Sequence, residues 1–412
     1  MGKLSAATRI LICACLTYII SQFYRSANAV IGPDLMTELA LTPDDLGILT
    51  GAFFLTFAIS QLPVGIALDR WGPRRTIIFT LVIALVGSVV FSVGRNLVEL
   101  TAARVILGFG CGALLTGPLV LFSRWFPPDR FAQMSGILIA VGNLGVIAST
   151  APLAWFAAAF GWREAFYVTA VMTVLLIILS VLVIRDGPDP AKIRSGAGES
   201  LGQALRGVGT IIRHPAFPHL FAIIFTAYAT FITILGLWGG PYLHDVHGLD
   251  AAGRGNVMIF MAVGGALGYF AWGPLDRILN TRKWLLAAGI GAQWVCLMII
   301  VLVPGLGLTG ITVLFTVMGL MNGCSVMIFA HARSVFPPEL AGRGITTLNI
   351  GTMGGAAFQQ ILTGYLMAWQ TPAGQAAREV DYRVMFGLQA GLLLLALLFY
   401  LRTPDAKPNQ TA

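Results

Sequence analysis

Twelve long apolar runs, separated by charged or glycine- and proline-rich segments, constrain this chain more than any other feature of its sequence. Most are about 20 residues long or longer, the length an α-helix needs to cross a bilayer. A continuous apolar run crosses lipid as a helix, because barrel strands alternate polar and apolar residues. We therefore predict an all-α integral membrane protein with spans at 9–31, 46–68, 75–94, 98–122, 131–157, 164–184, 216–243, 252–275, 284–303, 306–330, 343–369 and 383–401.

The scarcity of charge excludes a water-soluble globule. Only 11% of the residues are charged and 57% are hydrophobic, whereas a soluble chain carries about 25% charged residues. Little material remains for a soluble catalytic domain, so we predict neither an enzyme nor a cofactor. The five cysteines lie inside apolar runs without a CxxC pair, which indicates buried hydrophobic residues and no metal site.

The longest hydrophilic stretch lies between the sixth and seventh runs and divides the chain into two equal halves. We predict a six-helix bundle over residues 1–185, a cytoplasmic linker over 186–214 and a second six-helix bundle over 215–412. Leu201, Leu205, Val208 and Ile211 recur at helical spacing in the linker, which indicates a short amphipathic helix on the membrane surface.

The distribution of basic residues predicts the orientation. With both ends in the cytoplasm, nineteen of the 26 lysines and arginines fall in cytoplasmic segments, five, including Arg254, fall in outer segments, and two fall inside the spans. This asymmetry obeys the positive-inside rule. The net charge of +8 therefore reflects topology, and we expect no nucleic-acid partner. We expect a monomeric, multi-pass protein of the bacterial inner membrane, with the lipid bilayer around it.

The two halves repeat each other in three places. Asp69-Arg70 after the second span matches Asp276-Arg277 after the eighth, and Arg124-Trp-Phe-Pro-Pro after the fourth matches the Phe-Pro-Pro segment that follows Arg333 after the tenth. Each half then continues into a glycine-rich helix, at 142–145 and 351–355. Parallel repeats of this kind place a substrate site between the two bundles, near the membrane midplane.

Two segments carry a resemblance to a known family. The stretch from Gly65 through Asp69-Arg70-Trp-Gly72 to Arg75 resembles the loop 2–3 motif of the major facilitator superfamily, and Leu100 to Gly110, with Arg104, is similar to its fourth-helix motif. The resemblance covers essentially the whole chain. It implies a secondary transporter that works by alternating access, with helices one and four lining a central cavity.

Within that superfamily, two branches share local features with the chain. Tyr24-Arg25-Ser-Ala-Asn28 followed by Pro33 is similar to the first helix of organic-anion symporters, and residues 142–146 resemble the fifth helix of nitrate/nitrite carriers. Gln61 stands where nitrate carriers have an arginine, and the usual fifth-helix motif of drug/proton antiporters is absent.

The loop motif predicts a cytoplasmic gate. Asp69 at a helix end can face the positive N-terminus of the eleventh helix, and the neighbouring arginines can pair with acids of other loops. The predicted gating residues are Asp69, Arg70, Arg74, Arg75, Asp276 and Arg277.

Arg25 and Arg104 are the two ionisable residues predicted to lie well inside spans, where a charge costs several kcal/mol and marks a functional site. All eighteen acids fall in loops or at helix ends, so a cationic substrate would lack a counter-charge. The predicted site binds an anion through Arg25, Arg104, Asn28, Gln61, Asn143, Tyr228, Asn349 and Gln359.

We therefore expect a secondary active transporter of a small organic anion, with a carboxylate as the favoured group. Its coupling partner would be a proton or an exchanged anion. An efflux carrier for amphipathic drugs and a carrier of an inorganic, nitrate-like anion remain alternatives.

Overall fold

The structure, a computed structural model, describes residues 5–188, 209–273, 275–336, 338–371 and 377–405, and every long element in these ranges is helical. We number the membrane crossings α1 to α12. The first six are α1 (Ala6–Ser26 continued by Asn28–Leu39), α2 (Pro43–Trp71), α3 (Pro73–Val93), α4 (Leu97–Gly110 continued by Ala113–Trp125), α5 (Pro128–Ala148 continued by Ala151–Phe160) and α6 (Trp162–Val183).

The second half repeats the arrangement. Its crossings are α7 (Phe217–Thr233, a π-helical turn at Ile234–Trp238, then Gly239–Asp245), α8 (Ala251–Trp272), α9 (Lys283–Leu302), α10 (Leu308–Asn322, a 3₁₀ turn at Gly323–Ser325, then Val326–Val335), α11 (Pro338–Gln370) and α12 (Glu379–Tyr400). A short helix, Leu275–Leu279, follows α8.

Each of the twelve predicted spans coincides with one crossing. Eleven helices in the described ranges are long and apolar enough to cross a bilayer, and α11 is the twelfth long helix. The polar residues of α11, among them Asn349, Gln359 and Gln360, lower its hydropathy. The first crossing is longer than predicted because the helix continues past Pro33 to Leu39, beyond the end of the apolar run.

The two largest hydrophobic cores of the described residues each lie mainly in one half of the chain. One core is built almost wholly from residues 10–184, and the other almost wholly from residues 211–400. The domain boundaries themselves remain a prediction, because residues 189–208 of the linker and its predicted amphipathic helix lie outside the described ranges.

The glycine-rich motifs occupy equivalent places in the two halves. A Cβ at Gly142 or Gly145 of α5 would collide with Tyr18 or with the carbonyl oxygen of Ile19 on α1, and a Cβ at Gly355 of α11 would collide with the carbonyl oxygen of Phe225 on α7. The motifs therefore allow close helix packing, as small residues do in membrane proteins.

A second symmetric feature ties the third helix of each half to the end of its sixth. Just after α6, Asp186 Oδ1 accepts a hydrogen bond from the backbone N–H of Arg74, 2.7 Å away in the first turn of α3. Just after α12, Asp405 Oδ1 accepts from the N–H of Lys283 at 3.1 Å in the first turn of α9. Both carboxylates thus satisfy a free N–H at a positive helix terminus.

Glycine is required beside the first of these acids. Gly72 has a φ of 83°, and a Cβ there would lie 2.8 Å from Asp186 Oδ1. The left-handed backbone and the close carboxylate together explain a glycine at this point of the loop 2–3 motif.

We expect Asp405→Ala to lower the free energy of unfolding by about 1 kcal/mol, the usual value of a lost helix cap. Asp405→Asn should retain most of the stability, because an amide oxygen accepts the same bonds. Burial raises the pKa of Asp405, but bonds from Thr281 and from the N–H groups of Lys283 and Arg282 outweigh it and the net pKa is lowered.

A lowered pKa means that the ionised carboxylate stabilises the fold above the unfolded-state pKa of about 4, and that this contribution disappears as pH falls through the folded-state value. The difference in melting temperature between wild type and Asp405→Ala in detergent should therefore shrink on acidification. If the difference in melting temperature stays constant down to the folded-state pKa of Asp405 and below it, the ionised carboxylate does not stabilise the start of α9.

Candidate functional site

Arg25 lies in α1, two residues before the helix is interrupted at Ala27. The side chain is buried, and its guanidinium carbon lies 4.4 Å from the centroid of the Phe57 ring on α2. The hydroxyl of Tyr228 on α7 lies beside it. The Nε and Nη2 atoms of Arg25 are buried without a hydrogen-bond partner. A charge with free donors at this depth is costly and marks a functional site.

A small cavity between the two bundles contains this guanidinium. Its polar lining comes from both halves: Gln22, Arg25, Ser26 and Asn143 from the first, Tyr228 and Tyr269 from the second. The cavity volume is about 20 Å³, which is room for about one water molecule. A ligand can therefore enter only when the bundles move apart.

The charge of Arg25 has no counter-ion in this cavity. None of the described lining residues is an aspartate or glutamate, and none of the ion pairs among described residues includes Arg25. An anion that entered would supply the missing charge and accept hydrogen bonds from the two free nitrogens, which are the strong, charge-assisted kind.

Arg104 is buried outside the lining of this cavity. Its Nη1 donates to the carbonyl oxygen of Tyr24 at 2.8 Å, and its guanidinium carbon lies 4.8 Å from the centroid of the Phe53 ring. The bond reaches α1 immediately before Arg25, close to the interruption at Ala27. Arg104 thus holds the backbone that carries Arg25.

The structure brings together three of the eight predicted binding residues, Arg25, Asn143 and Tyr228. Three others form hydrogen bonds between helices. Asn28 Nδ2 donates to Thr50 Oγ1 at 2.9 Å. Gln61 Nε2 donates to the carbonyl oxygen of Gly112 at 3.3 Å, and Gln359 Nε2 donates to the carbonyl oxygen of Thr226 at 3.3 Å. Asn349 is half-buried on α11, also outside the lining of this cavity.

Sequence reasoning missed three polar lining residues. Gln22 and Ser26 flank Arg25 at helical spacing on α1, a signal that the sequence contained. Tyr269 on α8 gave no such signal, because only the fold brings it to the cavity. Asn322 Nδ2 of α10 donates to its hydroxyl at 3.4 Å.

The predicted gating residues have mixed surroundings. Asp69 and Arg70 are exposed at the end of α2. Arg74 donates from Nη2 to the carbonyl oxygen of Val181 at 2.8 Å, within its own bundle. Arg75 lies with Arg74 and Asp186 along a surface groove.

In the second half, Asp276 is buried and pairs with Arg282 at 3.2 Å, again within one bundle. The side chain of Arg277 lies outside the described part of the chain. The gate therefore remains a prediction.

The ends of the bundles that are predicted to face the outside are in close contact. On α2, a Cβ at Gly47 would lie 2.8 Å from the Cα of Gly364 on α11. On α8, a Cβ at Gly255 would lie 2.8 Å from the Cα of Ala151 on α5. These contacts, which we call the outer seal, close the cavity around Arg25 toward that predicted side.

Arg254, which was predicted to lie in an outer segment, is buried as well. Arg254 lies in the first turn of α8, is 2% exposed, and contacts α1 across the outer seal. Its Nη2 lies 3.4 Å from Asp34 Oδ1 and 3.3 Å from the carbonyl oxygen of Val30. The sequence placed it in a loop, because hydropathy does not show that α1 covers this turn.

A vestibule of about 740 Å³ lies outside the outer seal and is lined by α1, α2, α7, α11 and α12. Asp245 contacts two other residues that line the vestibule. One of its carboxylate oxygens lies 2.7 Å from His244 Nδ1, and the other accepts a 2.7 Å hydrogen bond from the Tyr382 hydroxyl.

Comparison with known sequences decides the family. The sequence profile of the Major Facilitator Superfamily matches residues 14–359 and 255–412, which together cover almost the whole chain. The chain belongs to the major facilitator superfamily. Its members are transporters and not enzymes, and the fold described above, with twelve crossings in two six-helix bundles, is that of the superfamily.

The names of similar superfamily members refer to different substrates. The chain is 24% identical over 262 residues to the "Hexuronate transporter" of Bacillus subtilis (strain 168), covering 62% of this chain and 61% of that one. It is 29% identical over 175 residues to the "Probable sulfoacetate transporter SauU" of Cupriavidus necator, covering 42% and 41%. It is 31% identical over 154 residues to the "Quinolone resistance protein NorA" of Staphylococcus aureus, covering 37% and 39%. The aligned regions thus span less than two thirds of each relative.

A solved major facilitator structure matches the whole fold. The bacterial homolog of the human lysosomal transporter Spinster, in an inward-facing and unoccupied conformation, superposes with a TM-score of 0.77 over 97% of both chains at 17% identity. At this identity the likeness establishes the fold alone.

Proposed function

We propose that this chain is a secondary active transporter that moves a small organic anion across the bacterial inner membrane by alternating access. Arg25 binds the anionic group, and a carboxylate is the favoured one. The observation that carries the proposal is the buried guanidinium, which faces a cavity at the bundle interface with two free nitrogens and no acidic neighbour in the described lining.

Two similar proteins support the class of substrate. Hexuronate carries a carboxylate, and sulfoacetate carries a carboxylate and a sulfonate; both names belong to relatives of this chain. Carboxylates and sulfonates are oxyanions that a guanidinium binds through charge-assisted hydrogen bonds.

The proposed cycle follows from the contacts between the bundles. With the outer seal closed, Arg25 is cut off from the outside, and an anion exchanges with the cytoplasm when the inner halves separate. Opening of the seal would require two contacts to separate. One is the ion pair of Arg254 with Asp34, and the other is the glycine contact of α2 with α11. The basic cytoplasmic segments place both termini inside, and a proton or a second anion completes the cycle. No cofactor takes part, and the monomer contains the whole site.

The experiment is uptake of radiolabelled organic anions, beginning with glucuronate, benzoate and sulfoacetate, into proteoliposomes containing the purified chain. A pH gradient or preloaded anion serves as the driving force. We expect saturable uptake of at least one anion that empty liposomes lack. Uptake confined to nitrate would favour the inorganic-anion alternative.

An efflux carrier of amphipathic drugs is the second candidate, favoured by the similarity to NorA and by the aromatic residues around Arg25. The same vesicles, tested with fluorescent amphipathic cations, distinguish the two. Transport of cations without transport of any anion would overturn the proposed function.

A further inference from the structure

We infer that the substrate is a monocarboxylate with a compact apolar body, and that it binds with its carboxylate on Arg25 and its body against α7. This inference rests on the proposed function and narrows its substrate class. It follows from three features of the cavity. These are the number of cations that can touch a ligand, the apolar residues that line the cavity on α7 and α8, and the hydrogen bonds that its polar groups make.

A single cation is available to a ligand among the residues that the structure describes around the cavity. Arg25 lines it, with Nε and Nη2 unpartnered. Arg104 is fully buried away from the lining, bonded to Tyr24 and packed on Phe53. A ligand with one carboxylate would pair with the one guanidinium. A second carboxylate on the same ligand would enter a low-dielectric space without a cation in contact, which is strongly unfavourable.

Apart from Tyr228 and Tyr269, the second-half lining of the cavity is apolar. Phe231, Ile232 and Leu235 on α7 and Ala262 on α8 line the cavity beside Tyr228. Phe231 is 6% exposed and Ile232 is 3% exposed, so this surface is dry when the bundles are closed. An apolar body placed there would gain free energy in proportion to the area that it removes from water.

Two polar side chains of the lining, Ser26 and Asn143, already donate hydrogen bonds within their own helices. Ser26 Oγ donates to the carbonyl oxygen of Gln22 and lies 2.7 Å from Ser149 Oγ. Asn143 Nδ2 donates to the carbonyl oxygen of Ile139 at 2.9 Å.

The side-chain amide of Gln22 makes no hydrogen bond among the described residues, and its Oε1 is buried. A ligand with many hydroxyl groups would find few partners in this lining, and each hydroxyl buried without a hydrogen bond costs free energy.

The test is binding to the purified full chain in detergent, measured by calorimetry with four probes. Benzoate has one carboxylate and an apolar ring. Terephthalate adds a second charge, and 4-carbamoylbenzoate matches its size with a single charge. Glucuronate has one carboxylate and several hydroxyl groups. We expect benzoate to bind at least about tenfold more tightly than glucuronate, and 4-carbamoylbenzoate at least about tenfold more tightly than terephthalate.

Each contrary result has a distinct meaning. The inference is overturned if glucuronate binds as tightly as benzoate, or if terephthalate binds as tightly as 4-carbamoylbenzoate. It is also overturned if benzoate does not bind at millimolar concentration. If a tightly bound glucuronate or terephthalate is lost in Arg25→Gln, the proposed function stands and only the narrower substrate class fails. If Arg25→Gln binds every anion as well as wild type does, both fail.

A pair of matched variants tests the apolar wall. Ile232→Thr exchanges an ethyl group on the cavity wall for a hydroxyl, and Ile223→Thr makes the same change on α7 at a buried position outside the lining. We expect the preference for benzoate over glucuronate to fall about fivefold in Ile232→Thr and to persist in Ile223→Thr. An equal fall in both, or in neither, overturns the assignment of α7 as the wall that contacts the ligand body.

Discussion

Replacement of Arg25 by glutamine is expected to reduce anion binding and uptake at least about a hundredfold while leaving the protein folded. Loss of a buried, charge-assisted contact costs about 3 kcal/mol, which is roughly a hundredfold in affinity. Stability should be unchanged or improved, because the unpartnered guanidinium of Arg25 is a cost in the unliganded protein and the amide removes it. Uptake in proteoliposomes and the anion-induced shift of the melting temperature measure the two effects.

Arg104→Gln is the matched comparison, since it removes the same group from the neighbouring helix. Arg104 also has Nε and Nη2 buried without a partner, but its Nη1 donates to the carbonyl oxygen of Tyr24 at 2.8 Å. Its loss leaves that buried acceptor unpaired and should lower the melting temperature relative to Arg25→Gln. If Arg25→Gln takes up anions at the wild-type rate, Arg25 does not bind the substrate.

Gly47→Leu is expected to stop transport by preventing closure of the outer seal. A Cβ at Gly47 would lie 2.7 Å from the carbonyl oxygen of Gln360 and 2.8 Å from the Cα of Gly364. Both atoms belong to the backbone of α11, so no rotamer change can relieve the collision. Overpacking costs about 1–3 kcal/mol, enough to lower the ratio of closed to open protein by roughly fivefold to 150-fold.

The measurement is labelling of a cysteine introduced at Ala262 by a membrane-impermeant thiol reagent added from outside. Ala262 lines the cavity around Arg25, behind the outer seal, and the five native cysteines are buried. Labelling should be faster in Gly47→Leu than in the parent. Gly291→Leu is the control, because a Cβ at Gly291 meets open space on α9. Normal transport by Gly47→Leu would show that this contact is not part of the cycle.

The helices were predictable because their cause is local. A run such as 164–184 contains enough apolar residues to cross the bilayer whatever its neighbours are, and the structure has the helix at Trp162–Val183. The internal repeat was also visible in the sequence, yet its symmetric acids were not, since Asp186 and Asp405 act on helix ends that lie 112 and 122 residues away in the chain.

The binding site was only partly predictable. Arg25 stood out because a charge in an apolar run is rare, and the structure does place it in the cavity. Asn28 and Gln61 have the right polarity and depth but face other helices, with their amides bonded to Thr50 and Gly112. Tyr269 faces the cavity from α8, although its sequence surroundings resemble those of any tyrosine near a membrane surface.

The sequence by itself determined the twelve crossings, their division into two repeated halves and the scarcity of charge that makes Arg25 conspicuous, because hydropathy and charge act along the chain. Only the tertiary structure decided which face of each helix turns toward the cavity. That choice depends on helix rotation and on close packing between helices far apart in sequence, such as α1 with α5 and α2 with α11. The same packing buried Arg254 beside Asp34 and left the guanidinium of Arg25 facing the cavity with two nitrogens unpaired.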